Sequence, residues 1–366
     1  MSSGYDVTRS LNRKNFRIAN IMGVQPERSS MISSPYLLYL GHSNDEVGIK
    51  TSRGLAVFRP DLSIGEFRHD DCKLTVGLPC MGFAEAVAAG ARTLILGVAN
   101  AGGRLGDDLV GDAVAAIEAG LDVAAGLHNR LRDVPELVEA ARRHGRLLHD
   151  VRDPRPDIPV GNGRRRAGKR LLTVGTDCSV GKMYATLCLE RGLRARGIKA
   201  DFRATGQTGI LVAGAGVPLD AVIADFISGA IEQLSPGRDD GGWDCIEGQG
   251  SLFHPSFAGV STGLLHGAQP AALVLCHEPG RPHMRGLPHY QLPGLAETLA
   301  TNLQLARLTS PDVQAVGIAL NTSKLPRAEA EQLCRQVAAE FDLPCTDPFA
   351  MGVESIIDRI EQCFER

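Results

Sequence analysis

The stretch Arg170–Met183, RLLTVGTDCSVGKM, constrains this chain more than any other. An apolar run, LLTVG, ends in a tight turn, GTDCSVGK, and a helical pattern follows at once. Strand, tight loop and helix in that order build a phosphate cradle. Backbone N–H groups of the loop and the first helical turn converge on one point, where an anion is held without rearranging the chain. The loop residues are Gly175, Thr176, Asp177, Cys178, Ser179, Val180, Gly181, Lys182 and Met183. Gly181 admits close approach of the backbone, and Lys182 adds a point charge. The usual string is G-x-x-x-x-G-K-[ST]. This loop is one residue longer between Gly175 and Gly181, and Met183 stands where a hydroxyl would hold Mg²⁺. A thioether is a poor Mg²⁺ ligand, so the sequence predicts an anion-binding loop with weakened metal capacity.

The first half supplies a sheet of its own. PYLLYLGHS (Pro35–Ser43) and GLAVF (Gly54–Phe58) read as early strands, and GLPCMGFAEAVAAGA as a turn and a short helix. Clear alternation follows. TLILGVA (Thr93–Ala99) is a buried strand, and DDLVGDAVAAIEAG is a helix with Asp107 and Asp108 where the helix dipole favours acids. DVAAGLH (Asp122–His128) is a strand, VPELVEAARRHG a helix stopped by Gly145, and RLLHDVR a third strand. Strands alternating with helices give a parallel, doubly wound sheet. The loop ANAGGRLG (Ala99–Gly106) is not a clean G-x-G-x-x-G and lacks the acidic residue further on, so a tight turn is preferred to dinucleotide binding.

Arg152–Arg170 is rich in Pro, Gly and Arg without apolar period, which marks a boundary. The sequence therefore divides into a domain over 1–155, a linker over 156–169 and a second domain over 170–366. Arg164–Arg166 read as solvated linker. Beyond the cradle, KMYATLCLERGLRARG is a helix, IKADFRATGQTGIL a strand and a polar loop, TGQTG, and Pro218–Leu234 a helix. In GGWDCIEGQGSLFHP, WDCI is a short strand and Glu247 ends it at the mouth of the sheet. Such an acid normally holds a metal's water; with no hydroxyl at Met183 it serves instead as a proton acceptor, or else accepts N–H groups of its own GQG turn. AALVLCHEPGRPHMRGLPHYQLPG (Ala271–Gly294) is a strand and then a long loop of the kind that forms lids. His277, Glu278, His283 and His289 match no compact metal motif, whereas Arg281 and Arg285 suit a carboxylate clamp. VQAVGIALNTS (Val313–Ser323), LPCTDP and two helices, PRAEAEQLCRQVAAEFD and GVESIIDRIEQCFE, complete the pattern of an α/β chain.

Totals narrow the function. A net charge of −3 gives no basic field for nucleic acid. Nine scattered cysteines without a C-x-x-C read as reduced thiols, hence a cytoplasmic setting. No apolar run approaches the ~20 residues of a membrane span, and the N-terminus lacks the apolar centre of a signal peptide.

Four strings, GLDVAAGLHNRL, VGTDCSVGKM, ATGQTGIL and IEGQGSLFHP, together resemble the two-domain DUF1611 family, over most of the chain from about Gly97 onward. The longer loop is also similar to the GTD-type P-loop of dethiobiotin synthetase relatives. The DUF1611 resemblance implies a Rossmann-like N-terminal domain and a P-loop NTPase-like C-terminal domain. Its members are labelled epimerase/dehydratase or ATPase-like, and some are assigned as N-acetyltransferases that use acetyl-CoA to acetylate D-glutamate in D-amino-acid catabolism. Tyr184 departs from the small hydroxyl residue expected after the Met. Under this resemblance, the Gly175–Met183 loop holds coenzyme A phosphates without a metal. Acyl transfer then needs a base for the amine, with Glu247 and His254 as candidates, and oxyanion donors, which Gly248–Ser251 could supply. A dicarboxylic acceptor calls for cations, and Arg203, Arg281, Arg285 and Lys324 lie at or after strand ends. The rivals are an ATP/Mg-dependent ligase or kinase, a nucleotide-binding protein without turnover and, last, an NAD-dependent epimerase. Two-domain α/β enzymes of this kind commonly form homo-oligomers.

Overall fold

Each buried strand hands the chain to a helix, and the result is two wholly parallel sheets. The computed structural model describes residues 32–46, 48–98, 105–154 and 156–364. The first sheet contains β1 (Tyr36–Gly41), β2 (Ser63–Arg68), β3 (Thr93–Leu96), β4 (Asp122–Ala125) and β5 (Leu148–Asp150) in the order β2-β1-β3-β4-β5. Its helices are α1 (Lys50–Phe58), α2 (Phe83–Ala88), α3 (Asp107–Ala119) and α4 (Pro135–His144). The second sheet contains β6 (Lys169–Gly175), β7 (Ala200–Arg203), β8 (Trp243–Ile246), β9 (Ala272–His277), β10 (Gln314–Leu320) and β11 (Cys345–Thr346) in the order β11-β10-β9-β6-β8-β7. Its helices are α5 (Lys182–Ala195), α6 (Gln207–Ala213), α7 (Ile227–Leu234), α8 (Ala258–Ala268), α9 (Leu295–Ala306), α10 (Arg327–Phe341) and α11 (Glu354–Phe364). Among the described residues no helix is long and apolar enough to cross a membrane.

Several local expectations are corrected. Gly54–Phe58 is not a strand but the end of α1, whose buried Thr51, Leu55 and Phe58 recur at helical spacing. The second strand of the first sheet is instead β2, disguised by a fully buried Glu66 that accepts from Thr75 Oγ1 (3.0 Å) and the Val76 amide (2.8 Å). TGQTG is not all loop, because Gln207 opens α6. The Pro218–Leu234 segment begins as two 3₁₀ turns, Leu219–Ala221 and Ala224–Phe226, before α7. Helix α8, rich in small residues, supplies the crossover that a parallel β8–β6–β9 arrangement requires. The Gly-rich loop 99–106 lies outside the described residues over positions 99–104.

Arg166 is not solvated linker. Its guanidinium donates to the carbonyls of Ser235 (2.6 Å) and Ala268 (3.2 Å), which end α7 and α8. It thereby satisfies carbonyls that have no partner within their own helices. Arg164 and Arg165 are exposed.

The two sheets meet near their carboxyl ends. Thr51 of α1 and Thr208 of α6 share a hydrogen bond of 2.8 Å. Gly126, just beyond β4, leaves no room for a β-carbon against Gln207. The cradle sits in this crevice, at the end of β6, where the chain crosses from β8 on one side of β6 to β9 on the other. That switch point is where parallel sheets offer their strand ends to ligands.

Candidate active site

The loop after β6 has the shape its sequence predicts. Gly181 takes φ +98°, a left-handed conformation that lets α5 start directly behind the turn, and Ser179 is also left-handed at φ 54°. Lys182 is buried and donates to the Asp177 carbonyl at 2.7 Å. Burial pushes its ammonium below the ordinary lysine range. Thr186, one turn along α5, bonds Thr173 Oγ1 at 2.8 Å, and the same Thr173 oxygen accepts the Gly248 amide at 3.0 Å. These hydroxyls pin β6, α5 and the end of β8 together, and Gly248 is required because a β-carbon there would overlap the Thr173 carbonyl.

Asp177 joins the cradle to the long loop after β9. Its fully buried carboxylate accepts the Cys178 amide (2.6 Å), the Arg281 guanidinium (2.6 Å) and the Arg285 amide (2.8 Å). Arg281 also donates to the Cys178 and Ser179 carbonyls, at 2.7 and 3.0 Å, and pairs closely with Glu278. Lys324 holds the other Glu278 oxygen at 2.6 Å.

Glu247 stands at the end of β8, buried, against the first turn of α6. One oxygen accepts the Thr205 and Gly206 amides at 2.9 and 3.1 Å. Its backbone partners are therefore on the neighbouring β7–α6 connection, and its own GQG turn contributes the Gln249 side chain instead of N–H groups. Burial pushes the carboxyl up to about 7, against the pull of those two amides and of Lys182. A carboxylate with that pKa exchanges protons near neutrality, as a general base must. His254 is buried too, but both ring nitrogens are engaged: Nδ1 accepts the Ser256 amide at 3.2 Å, and Nε2 meets the Arg285 carbonyl at 3.3 Å. That assignment leaves the imidazole without a lone pair for an incoming proton.

The family model described as "Domain of unknown function (DUF1611_C) P-loop domain" matches residues 159–357, and the "DUF1611_N Rossmann-like domain" matches 68–154. The chain belongs to the DUF1611 family. It is 32% identical to a DUF1611 family protein from Anabaena variabilis of known crystal structure, with a TM-score of 0.83 over 90% of this chain and all of that one. It is 50% identical over 330 residues to the D-glutamate N-acetyltransferase of Tritonibacter scottomollicae, covering 90% of this chain and 99% of that protein. A D-glutamate N-acetyltransferase of a Pseudoalteromonas species is 48% identical over 326 residues, 89% of this chain and 98% of its own length.

In this DUF1611 chain the four cations proposed from sequence separate into two kinds. Arg203 turns toward Asp244 (2.9 Å) and belongs to a surface network with Arg238 and Asp201. Arg281 and Lys324 are held by Asp177 and Glu278 and act as braces of the loop. Arg285 alone keeps an exposed guanidinium without an acidic partner among the described residues. Met183, which departs from the P-loop pattern, and Tyr184, which departs from the family pattern, have a common setting. Met183 lies beside Gly54, and Tyr184 packs edge-on against Phe58 at 5.0 Å, so both face α1 of the first sheet. Asp177, Cys178 and His254 bring ligand atoms within 4.8 Å of one another. They fit a metal poorly, because Asp177 already carries Arg281 and two amides and His254 is bonded through both nitrogens. Lys50, the first residue of α1, also reaches this site, and nothing in its sequence context marks it.

Proposed function

We propose that this chain is a D-glutamate N-acetyltransferase that takes its acetyl group from acetyl-CoA. The names of the two relatives near 50% identity support the reaction, and the buried Glu247 beside the cradle is the structural observation that carries it. In this reading the cradle amides and Lys182 hold the coenzyme's phosphates. The pantetheine arm folds back across the mouth so that the thioester reaches Glu247. Glu247 takes a proton from the substrate ammonium, the free amine attacks the thioester carbonyl, and the C–S bond breaks as the amide forms; the second proton lost by the nitrogen goes to the departing sulfur, so coenzyme A leaves as its thiol. The Gly248 N–H is bonded to Thr173, which leaves Gln249, Gly250 and Ser251 of that turn as oxyanion donors. All nine cysteines are free thiols, which suits work in a reducing compartment.

The test offers acetyl-CoA with D-glutamate or L-glutamate in the presence of a chelator. Free thiol released in step with acetylated D-glutamate supports the proposal. ADP formed from ATP and Mg²⁺, with no acetylated product, overturns it in favour of a ligase or kinase.

A further inference from the structure

The mouth of the cradle is built in part by the other sheet. Lys50 opens α1, and the next residue, Thr51, is hydrogen-bonded to Thr208 in the first turn of α6. Gly209, which follows Thr208, is pressed so closely against the Glu247 carboxylate that a β-carbon would collide with it. The start of α1, with Lys50, thus lies beside the α6 turn that packs on Glu247. Lys50 is half-buried, and its ammonium has no hydrogen-bond or ion-pair partner among the described residues. Burial pushes its pKa down. Arg285 and Arg152 add to that, while the Cys178 thiol and Glu247 oppose it, so the ammonium lies within the electrostatic reach of all four.

Lys182 is committed to the cradle, where it bonds the Asp177 carbonyl, and the other cations nearby have counterions. Arg152 is paired closely with Asp220, Arg281 with Asp177 and Glu278, and Lys324 with Glu278. Lys50 and Arg285 are left as two positive charges facing one crevice, and like charges in a partly buried site call for an anion. The Arg285 backbone N–H donates to the Asp177 carboxylate, which fixes the chain there, while the residue's side chain stays exposed.

We propose that Lys50, with Arg285, receives a carboxylate of the amino-acid acceptor, so that the first sheet supplies the substrate specificity of a reaction carried out on the second. This rests on the acyl-transfer reading above. A phosphate of the donor has the cradle amides to bind, whereas an amine at Glu247 brings its own carboxylates to within a side-chain length of Lys50. A dicarboxylic amino acid is the class of acceptor that such a site takes.

The experiment combines Lys50→Met and Arg285→Met with steady-state kinetics and calorimetric titration of glutarate, a dicarboxylate that cannot be acetylated. The expected result is a KM for D-glutamate raised about 10- to 100-fold in each variant, the size of one lost charge-assisted contact. The KM for acetyl-CoA stays unchanged, glutarate binding weakens in parallel, and Lys50→Arg recovers most of both. A KM raised for acetyl-CoA instead assigns Lys50 to the donor's phosphates and overturns the inference, as does an unchanged KM for both substrates. Arg285 is exposed, so its variant reports even if Lys50→Met folds poorly. A wild-type protein that binds glutarate through Lys50 but never acetylates D-glutamate keeps the carboxylate site and overturns the reaction.

Discussion

Replacing Glu247 by glutamine separates the two things this residue does. Glutamine keeps a carbonyl to accept the Thr205 and Gly206 amides, yet it cannot take a proton. Loss of a positioned general base lowers kcat about 10²- to 10⁴-fold. Stability moves the other way. The folded chain raises the carboxyl from its ordinary 4.5 to about 7, so between these values the folded state holds a proton that the unfolded state releases. Stability therefore falls as pH rises through this window and is level above it. At about 1.36 kcal/mol per unit, the residue costs on the order of 3 kcal/mol at pH 8 and almost nothing at pH 4. The variant escapes that cost. Thermal melts of both proteins at about pH 4.5, 6 and 8 should show the difference growing in favour of glutamine with pH, by several degrees at the top. The wild-type kcat/KM should rise with pH and level off above about 7. Melting curves that stay parallel across pH would refute the raised pKa, and a variant within tenfold of wild-type kcat would refute the role as base.

Three further substitutions probe the rest of the site. Lys182→Ala removes the cradle's cation and is expected to raise the KM for acetyl-CoA about 10- to 100-fold, read from initial rates at saturating D-glutamate. Arg281→Ala leaves the Asp177 and Glu278 carboxylates without their guanidinium and should cost about 3–5 kcal/mol, seen as a lowered Tm together with protease cleavage between β9 and α9. Arg203→Ala breaks only the network around Asp244; its KM for D-glutamate should equal that of wild type, whereas a rise would restore Arg203 as a clamp.

The parts of this site that lie on one continuous stretch were legible in the sequence. Glycine spacing and an apolar strand identify the cradle, because its geometry is local. The position of Glu247 is legible by the same logic, since a strand end in a parallel sheet faces the crevice. Roles decided by tertiary contact were not legible. Arg281 reads in sequence as a free cation, and its bond to Asp177, 104 residues away, is made only by the fold. Met183 reads in sequence as a weakened metal site and Tyr184 as a lost hydroxyl; that both face α1 follows only from the fold. Lys50 carries no local signal at all, and its neighbour Thr51 meets Thr208 across 157 residues. Gly54–Phe58 reads as a strand for a related reason: the helical period is complete only with Thr51, whose burial is set by the fold.

The most direct measurement is a structure of the chain with coenzyme A bound. The account predicts the diphosphate against the amides of the Gly175–Met183 loop, with Lys182 turned from the Asp177 carbonyl onto it and the thiol end folded back toward Glu247. Coenzyme density elsewhere, with the thiol end remote from Glu247 and the cradle untouched, would contradict it.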